Sequence, residues 1–213
     1  MVYHARVKRV LARTDATRMF GLRLVVPPGV FHPRLFRTTA VIGRHLRGLD
    51  IRGRDVLEMG CGSGVLALLA ARAGARVTAV DINPLAVGAT RANAASNGLA
   101  LRVIRSDLFA SVPRDGGFDW IIWNPPFYPA EAPDLAARAW YAGEGYSVLG
   151  RFAAEAGAYL RPGGNVLIQV STEIDQETVL GFFAAAGFTR SLARAERLPF
   201  ETLSIYALSP IAP

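Results

Sequence analysis

Glu58-Met59-Gly60-Cys61-Gly62-Ser63-Gly64, EMGCGSG, joins a short apolar run, DVLEM at Asp55–Met59, to an alanine- and leucine-rich run that begins at Val65. The first run has the length of a buried strand. The second has the length of a helix and is closed by Gly74 at a C-cap position. Three glycines at alternate positions allow a tight turn and let the main chain approach a ligand closely. A strand, a glycine turn and a helix together open an α/β unit. They place a helix N-terminus, with its free N–H groups, at the carboxyl edge of a sheet, where such folds bind ligands.

Outward from this turn the chain alternates strand-like and helix-like runs, which implies a parallel sheet covered on both faces. Strands are expected at 76–80, 101–105 and Phe118–Trp123. Asn83 and Pro84 read as the N-cap and first residue of a helix that runs to Asn97-Gly98. A helix over 146–160 is expected to stop at Arg161-Pro162-Gly163-Gly164, before a strand at 165–170. The tail predicts a helix near 176–186 and then strands at 189–194 and 203–208, close enough to form an antiparallel hairpin at one end of the sheet. Ahead of this body, 23–26 reads as a strand and 36–49 as a helix, joined by PPGVFHP. Residues 1–50 are therefore expected to be an N-terminal extension packed on a main domain of residues 51–213.

With 213 residues, 51% of them hydrophobic, one domain with a sizeable core is the natural expectation. No apolar run reaches the about eighteen residues that a membrane span needs. The segment MVYHARVKRVLAR lacks the apolar centre of a signal peptide. The single cysteine, Cys61, excludes an internal disulfide and fits a reducing, cytoplasmic setting. Net charge is +7, and Lys8 is the only lysine. Residues 1–54 carry twelve Arg and Lys against Asp15 and Asp50, whereas residues 55–213 carry twelve Arg against fifteen acids. A basic N-terminal quarter in front of a mildly acidic body points to an acidic partner surface or to phosphates, unless it is simply a solvated face.

Twenty-one positions after Gly60, the second strand ends in Asp81, where a carboxylate can accept both hydroxyls of a ribose. A dinucleotide turn wants G-x-G-x-x-G, but Val65 occupies the third glycine slot and Gly64 arrives one residue early. Glu58, just before the turn, would repel a pyrophosphate and attract a cation. A cofactor with both a ribose and positive charge fits this pattern, and S-adenosylmethionine has both.

EMGCGSG, AVDINP, RSDLF after the third strand and NPPF after the fourth resemble, in order and spacing over about residues 50–208, the class I S-adenosylmethionine-dependent methyltransferases. The resemblance implies a Rossmann-like, seven-stranded, mostly parallel sheet with helices on both faces and a C-terminal antiparallel strand. It also implies that Glu58, Gly60, Cys61, Gly62 and Gly64 hold the methionine part of the cofactor and Asp81 the ribose. Ile82 would flank the adenine, Asp107 would bond its amine, and Asn124 would lie beside the methyl.

NPPF, with Tyr128 behind it, resembles the signature of amino-methyltransferases whose target nitrogen is attached to a planar π system. Such a nitrogen is a poor nucleophile and is almost never protonated at neutral pH. Asn124 Oδ1 and the Pro125 carbonyl can accept its two N–H bonds and bind more tightly as positive charge grows there. Pro126 biases Pro125 away from helix, so that carbonyl stays aimed. Phe127 and Tyr128 can cover a flat group, and Trp140 can line the entrance. Asn124, Pro125 and Phe127 are the candidate catalytic residues, and Pro126, Phe127, Tyr128 and Trp140 the candidate substrate contacts.

Two substrates remain open. AWYAGEG at 139–145 is similar to the segment that follows NPPY in the methyltransferases of peptide-release factors, which modify a glutamine side chain. GVFHP with Thr38-Thr39 is similar to their single-domain members, although Phe127 and Arg37 depart from that pattern. The phenylalanine of NPPF is common in ribosomal RNA enzymes that modify base amines, and the basic N-terminus would suit phosphates. A glutamine in a protein is the preferred expectation, and a non-catalytic domain that binds the cofactor and a partner is a further alternative. His4, His32 and His45 show no metal spacing, so no metal is assigned. Trp120 and Trp123 read as core, and Arg34 and Arg37 as possible contacts to a carboxylate.

Overall fold

The protein is described here by a computed structural model covering residues 11–211. The first ten residues of the basic extension, with His4 and Lys8, lie outside the described residues. The described part of the extension contains a strand that sequence reading missed, β1 (Asp15–Met19), which pairs antiparallel with β2 (Leu22–Val26) through a turn at Phe20-Gly21. DATRM hides because only alternate positions are half-buried and none is strongly apolar. Helix α1 (Thr38–Leu46) is shorter than the expected 36–49.

The main sheet has the strands β3 (Asp55–Met59), β4 (Arg76–Asp81), β5 (Arg102–Arg105), β6 (Phe118–Trp123), β7 (Leu160–Ser171), β8 (Phe188–Arg197) and β9 (Thr202–Pro210). Their spatial order is β5-β4-β3-β6-β7-β9-β8, and only β9 runs against the rest. The tail hairpin forms as expected, but β9 inserts beside β7 and leaves β8 as the outer edge.

Successive residues of the central strands enter two separate cores. Leu57, Ile121 and Ile168 face one, while Val56, Ile122 and Leu167 face the other. That explains the near-continuous hydrophobicity of strands such as IIW, since a parallel sheet is buried on both sides. Helices α4 (Ser147–Ala156) and α5 (Gln176–Ala185) cover the first face through Phe152 and Phe183. Helices α1 and α2 (Val65–Arg72) cover the second through Ile42 and Leu68, together with Leu22 and Leu24 of β2. Helix α3 (Pro84–Ser96) starts as the sequence predicts, with the Asn83 side chain accepting the Leu85 N–H at 3.0 Å.

Arg161-Pro162-Gly163-Gly164 is not a break between helix and strand. Helix α4 ends at Ala156, a 3-10 turn spans Gly157–Tyr159, and β7 runs through this tetrapeptide by way of a bulge opposite Phe118 and Trp120. A Cβ at Gly164 would stand 2.7 Å from the Phe118 carbonyl oxygen, so the glycine is there for close main-chain approach.

Candidate active site

Strand order reverses between β3 and β6, whose carboxyl ends lie side by side with Met59 opposite Trp123. A crevice opens at such a switch point, and here it is a cleft of about 740 Å³, within the usual range for small-ligand sites. The glycine turn and the NPPF segment line it together.

The turn has φ of +64° at Gly60, +54° at Gly62 and +87° at Gly64, so all three glycines are needed for their dihedrals. Its N–H groups are largely used internally. Cys61 donates to the Val80 carbonyl at 2.9 Å, Gly64 to the Cys61 carbonyl at 2.7 Å, and Gly62 to Asp81 Oδ2 at 2.8 Å. The N-terminus of α2 is likewise taken, because Glu58 Oε2 accepts the Ala67 N–H at 2.7 Å. A phosphate cradle needs these donors free, so the geometry weighs against a dinucleotide.

Glu58 is only 3% exposed. Burial pushes its carboxyl well above the usual range, neighbouring Asp81 adds to the rise, and the N–H groups of Ala67 and Leu66 counter it. Asp81 is also raised, mainly by burial, and is held down by the N–H groups of Asn83, Gly62 and Ile82. Among the described residues neither carboxylate has a cationic side-chain partner. Each Asp81 oxygen takes one N–H, from Gly62 and from Asn83 (2.9 Å), and keeps acceptor capacity for a diol. Two carboxyl groups in one cleft, one buried and one half-buried, with no cationic side-chain partner suit a ligand that carries cationic groups and a ribose.

Of the candidate cofactor and substrate residues, all but Gly64 line this cleft. Cys61 is buried, its thiol pushed up by burial and accepting the Thr90 hydroxyl at 3.3 Å, so its environment is not that of a nucleophile. Asp107 pairs with Arg151 at 3.4 Å, and both line the cleft together with Ile82. Pro125 is buried, and Asn124, Pro126 and Phe127 are half-buried. The N–H groups of Phe127 and Tyr128 both donate to the Trp140 carbonyl, at 3.0 and 2.8 Å, which ties the NPPF segment to its own downstream loop. The Trp140 ring packs with Phe31 and Phe36 of the extension, at 5.9 and 6.1 Å between centroids. Arg34 does not reach the cleft and donates to the Thr17 hydroxyl at 3.3 Å, whereas Arg37 lines it.

Sequence reading missed three polar residues and a loop, and it noted Thr38 only for a resemblance and not as a contact of Asn124. Thr38 accepts the Asn124 amide N–H at 3.2 Å, and Gln169 donates to Asn124 Oδ1 at 3.0 Å. Thr90 donates to the Gly62 carbonyl, and Asn93 to the Ser63 carbonyl. A threonine and an asparagine three apart in an alanine-rich helix, and a glutamine inside VLIQV, were the available signals. The β8–β9 loop brings Leu198, Pro199, Phe200 and Glu201 to the cleft, with Phe200 93% exposed. Its distance in sequence left nothing to find it by.

This fold and this site define an S-adenosylmethionine-dependent methyltransferase. The methyltransferase small domain family matches residues 21–196, and the chain belongs to that family. A chain of Methanocaldococcus jannaschii, provisionally assigned as a protein N5-glutamine methyltransferase, is 32% identical over 87% of this chain and 94% of its own length. The release factor glutamine methyltransferase of Mycolicibacterium smegmatis is 34% identical over 89% of this chain and 72% of its own. The 16S rRNA N2 G1207 methyltransferase of T. thermophilus, solved with AdoMet and guanosine, superposes with a TM-score of 0.67 at 26% identity, covering 93% of this chain and 50% of that one. The chain spans less than half the length of the first curated ribosomal RNA small subunit methyltransferases C that it matches. It is an N-methyltransferase, and no helix among the described residues is long and apolar enough to cross a membrane.

Proposed function

We propose that the chain methylates the side-chain nitrogen of a glutamine in a protein such as a peptide-release factor. The observation that carries this reading is the charge of the cleft. Beyond the deep carboxylates and the Asp107–Arg151 pair, its lining holds Glu131, Glu173 and Glu201 against Arg37 and Arg138. An RNA strand would bring phosphates to an acidic entrance, whereas a peptide brings no such charge. Arginines of the basic N-terminal quarter are partly engaged elsewhere, Arg44 with Glu196 at 2.5 Å and Arg54 with Asp119 at 3.6 Å. The similarity to the two glutamine methyltransferases over most of both chains points the same way.

On this reading Glu58, Asp81, Ile82 and Asp107 hold S-adenosylmethionine, which supplies an electrophilic methyl when bound. Asn124 Oδ1 and the Pro125 carbonyl accept the two amide N–H bonds and keep the nitrogen pointed inward. The nitrogen's electron pair would form the new N–C bond as the methyl's bond to sulfur breaks, and its surplus proton would leave to water. Phe127 and Tyr128 cover the flat amide, and holding the reactants in line supplies several kcal/mol of the barrier reduction. The part of the extension from Gly29 to Thr39 acts as one wall of this site.

A base amine in ribosomal RNA is the second reading, favoured by the exposed rings of Tyr128 and Phe200, which suit stacking on a base. Labelled methyl transfer into purified release factor and into ribosomal RNA decides between them. Label in the release factor, recovered as N-methylated glutamine, is the expected result. Label that enters RNA and is removed by RNase overturns the glutamine reading.

A further inference from the structure

Gln169 sits on β7 between the apolar residues Ile168 and Val170 and is 0% exposed. Its Nε2 donates to Asn124 Oδ1 at 3.0 Å, and its Oε1, also buried, has no hydrogen-bond partner. On the other side of Asn124, Thr38 Oγ1 takes an Nδ2 hydrogen at 3.2 Å. The carboxamide is thus clamped between β7 and the start of α1, with one lone pair of Oδ1 used and the other free.

We propose that Gln169 is a positioning residue that fixes which end of the Asn124 carboxamide serves the substrate. A primary amide has two ends of similar shape and opposite polarity, and half a turn about χ2 exchanges them. Gripping an N–H bond requires the oxygen end, and the nitrogen end would meet donor with donor. Thr38 cannot choose between the two, because a hydroxyl donates as readily as it accepts.

Gln169 can choose. If the Asn124 amide turned, Gln169 would have to turn with it, so that Oε1 could accept from Nδ2. Nε2 would then take the buried place that Oε1 now holds, with neither of its hydrogens on Asn124. The observed arrangement leaves Oε1 and the second Nε2 hydrogen unmet, whereas the reversed one takes the Asn124 acceptor from both Nε2 hydrogens, and orphaned buried N–H groups are the rarer and worse defect. An aliphatic side chain here would bring no unmet polar group of its own. Packing alone therefore disfavours this glutamine, and the polarity of its neighbour accounts for it.

The inference rests on Asn124 as the acceptor of the substrate nitrogen, but not on which macromolecule carries that nitrogen. Its test uses the full chain, S-adenosylhomocysteine as the binding probe, and whichever substrate the wild type labels. Gln169→Met should keep or raise the melting temperature and leave S-adenosylhomocysteine affinity within about twofold. It should lower kcat at least tenfold. Gln169→Glu adds a signature that a packing role does not give. The ionised carboxylate only accepts and turns the Asn124 amide the wrong way, while the protonated acid donates through its O–H. Its activity should therefore recover as pH falls, along a limb absent from the wild type. Full kcat in Gln169→Met overturns the proposal, as does a loss that tracks melting temperature and S-adenosylhomocysteine affinity together. Should Gln169→Met not fold, a Gln169→Glu profile parallel to the wild type overturns it alone. An RNA substrate would defeat the glutamine reading and leave this result standing.

Discussion

At Gly64 the main chain has φ of +87°, and a Cβ would come 2.9 Å from both Cγ2 and Oγ1 of Thr90. Dihedral strain and a clash with a buried helix residue thus act at one atom. Gly64→Ala is expected to cost about 1–3 kcal/mol from the dihedral alone. It should also displace the Thr90 hydroxyl from the Gly62 carbonyl, where it now donates at 3.0 Å. Binding of S-adenosylhomocysteine should weaken roughly tenfold, equivalent to about 1.4 kcal/mol. Adding Thr90→Ala removes the two close contacts but not the dihedral, so isothermal calorimetry on the double variant should show partial recovery. Full recovery would mean the dihedral is harmless, and none would mean the clash is. The alternate glycines announced this turn in the sequence because only glycine tolerates such dihedrals in a row. The partners of Asn124 were not legible, since Thr38 and Gln169 stand 86 and 45 positions away and meet it only through the topology.

Strands β3, β4, β6 and β7 are laced together at their amino ends by charge. Asp55 accepts from Arg76 Nε at 2.8 Å and also from Arg161, which reaches Asp119 at 3.1 Å. The hydrogen bond from Arg76 is the main cause of a lowered Asp55 carboxyl, with Arg161 adding to it against a desolvation penalty. A carboxyl depressed in the folded state adds stability above its unfolded value, and that stability is lost as pH falls through the folded one. Asp55→Asn should therefore melt below the wild type at neutral pH by roughly 2–4 °C, equivalent to about 1 kcal/mol once solvent screening is allowed for. The gap should close as pH drops below the ordinary carboxylate range. A gap that stays constant with pH would assign the loss to shape and not to charge. These element starts were only partly readable. The apolar cores of β3 and β6 stand out as runs, but Arg161-Pro162-Gly163-Gly164 carries every local mark of a loop. The strand continues through it because the bulge places Gly164 against the Phe118 carbonyl, a tertiary demand that no local propensity encodes.

For the molecule as a whole, the question is what makes the N-terminal hairpin part of the catalytic body. A two-stranded sheet is marginal alone, and its outer edge leaves main-chain groups unpaired. Here two asparagines at the end of α3 supply what a third strand would. Asn93 Oδ1 accepts the Val25 N–H at 2.8 Å while its Nδ2 donates to the Val25 carbonyl at 3.1 Å. Asn97 does the same for Arg23, at 3.0 and 2.7 Å. The match is geometric. Alternate residues of a strand repeat at about 6.8 Å, and residues four apart on a helix lie about 6 Å apart along one face. Asn93 goes further, because it is 1% exposed and also donates to the Ser63 carbonyl of the glycine turn, at 2.9 Å. It thus fastens hairpin, helix and glycine turn at one point. Asn93→Ala would strand both main-chain groups of Val25 and the Ser63 carbonyl, a loss of roughly 2–4 kcal/mol. In a chain of this size that corresponds to a melting temperature lowered by roughly 5–12 °C. Asn93→Asp keeps the acceptor for the Val25 N–H and loses the donors, so it should fall between. Hydrogen exchange at Val25 should accelerate in the alanine variant more than at Leu24, whose N–H faces β1 and not α3. Equal protection at the two amides, with an unchanged melting temperature, would show that apolar packing of Leu22 and Leu24 holds the hairpin without the asparagines.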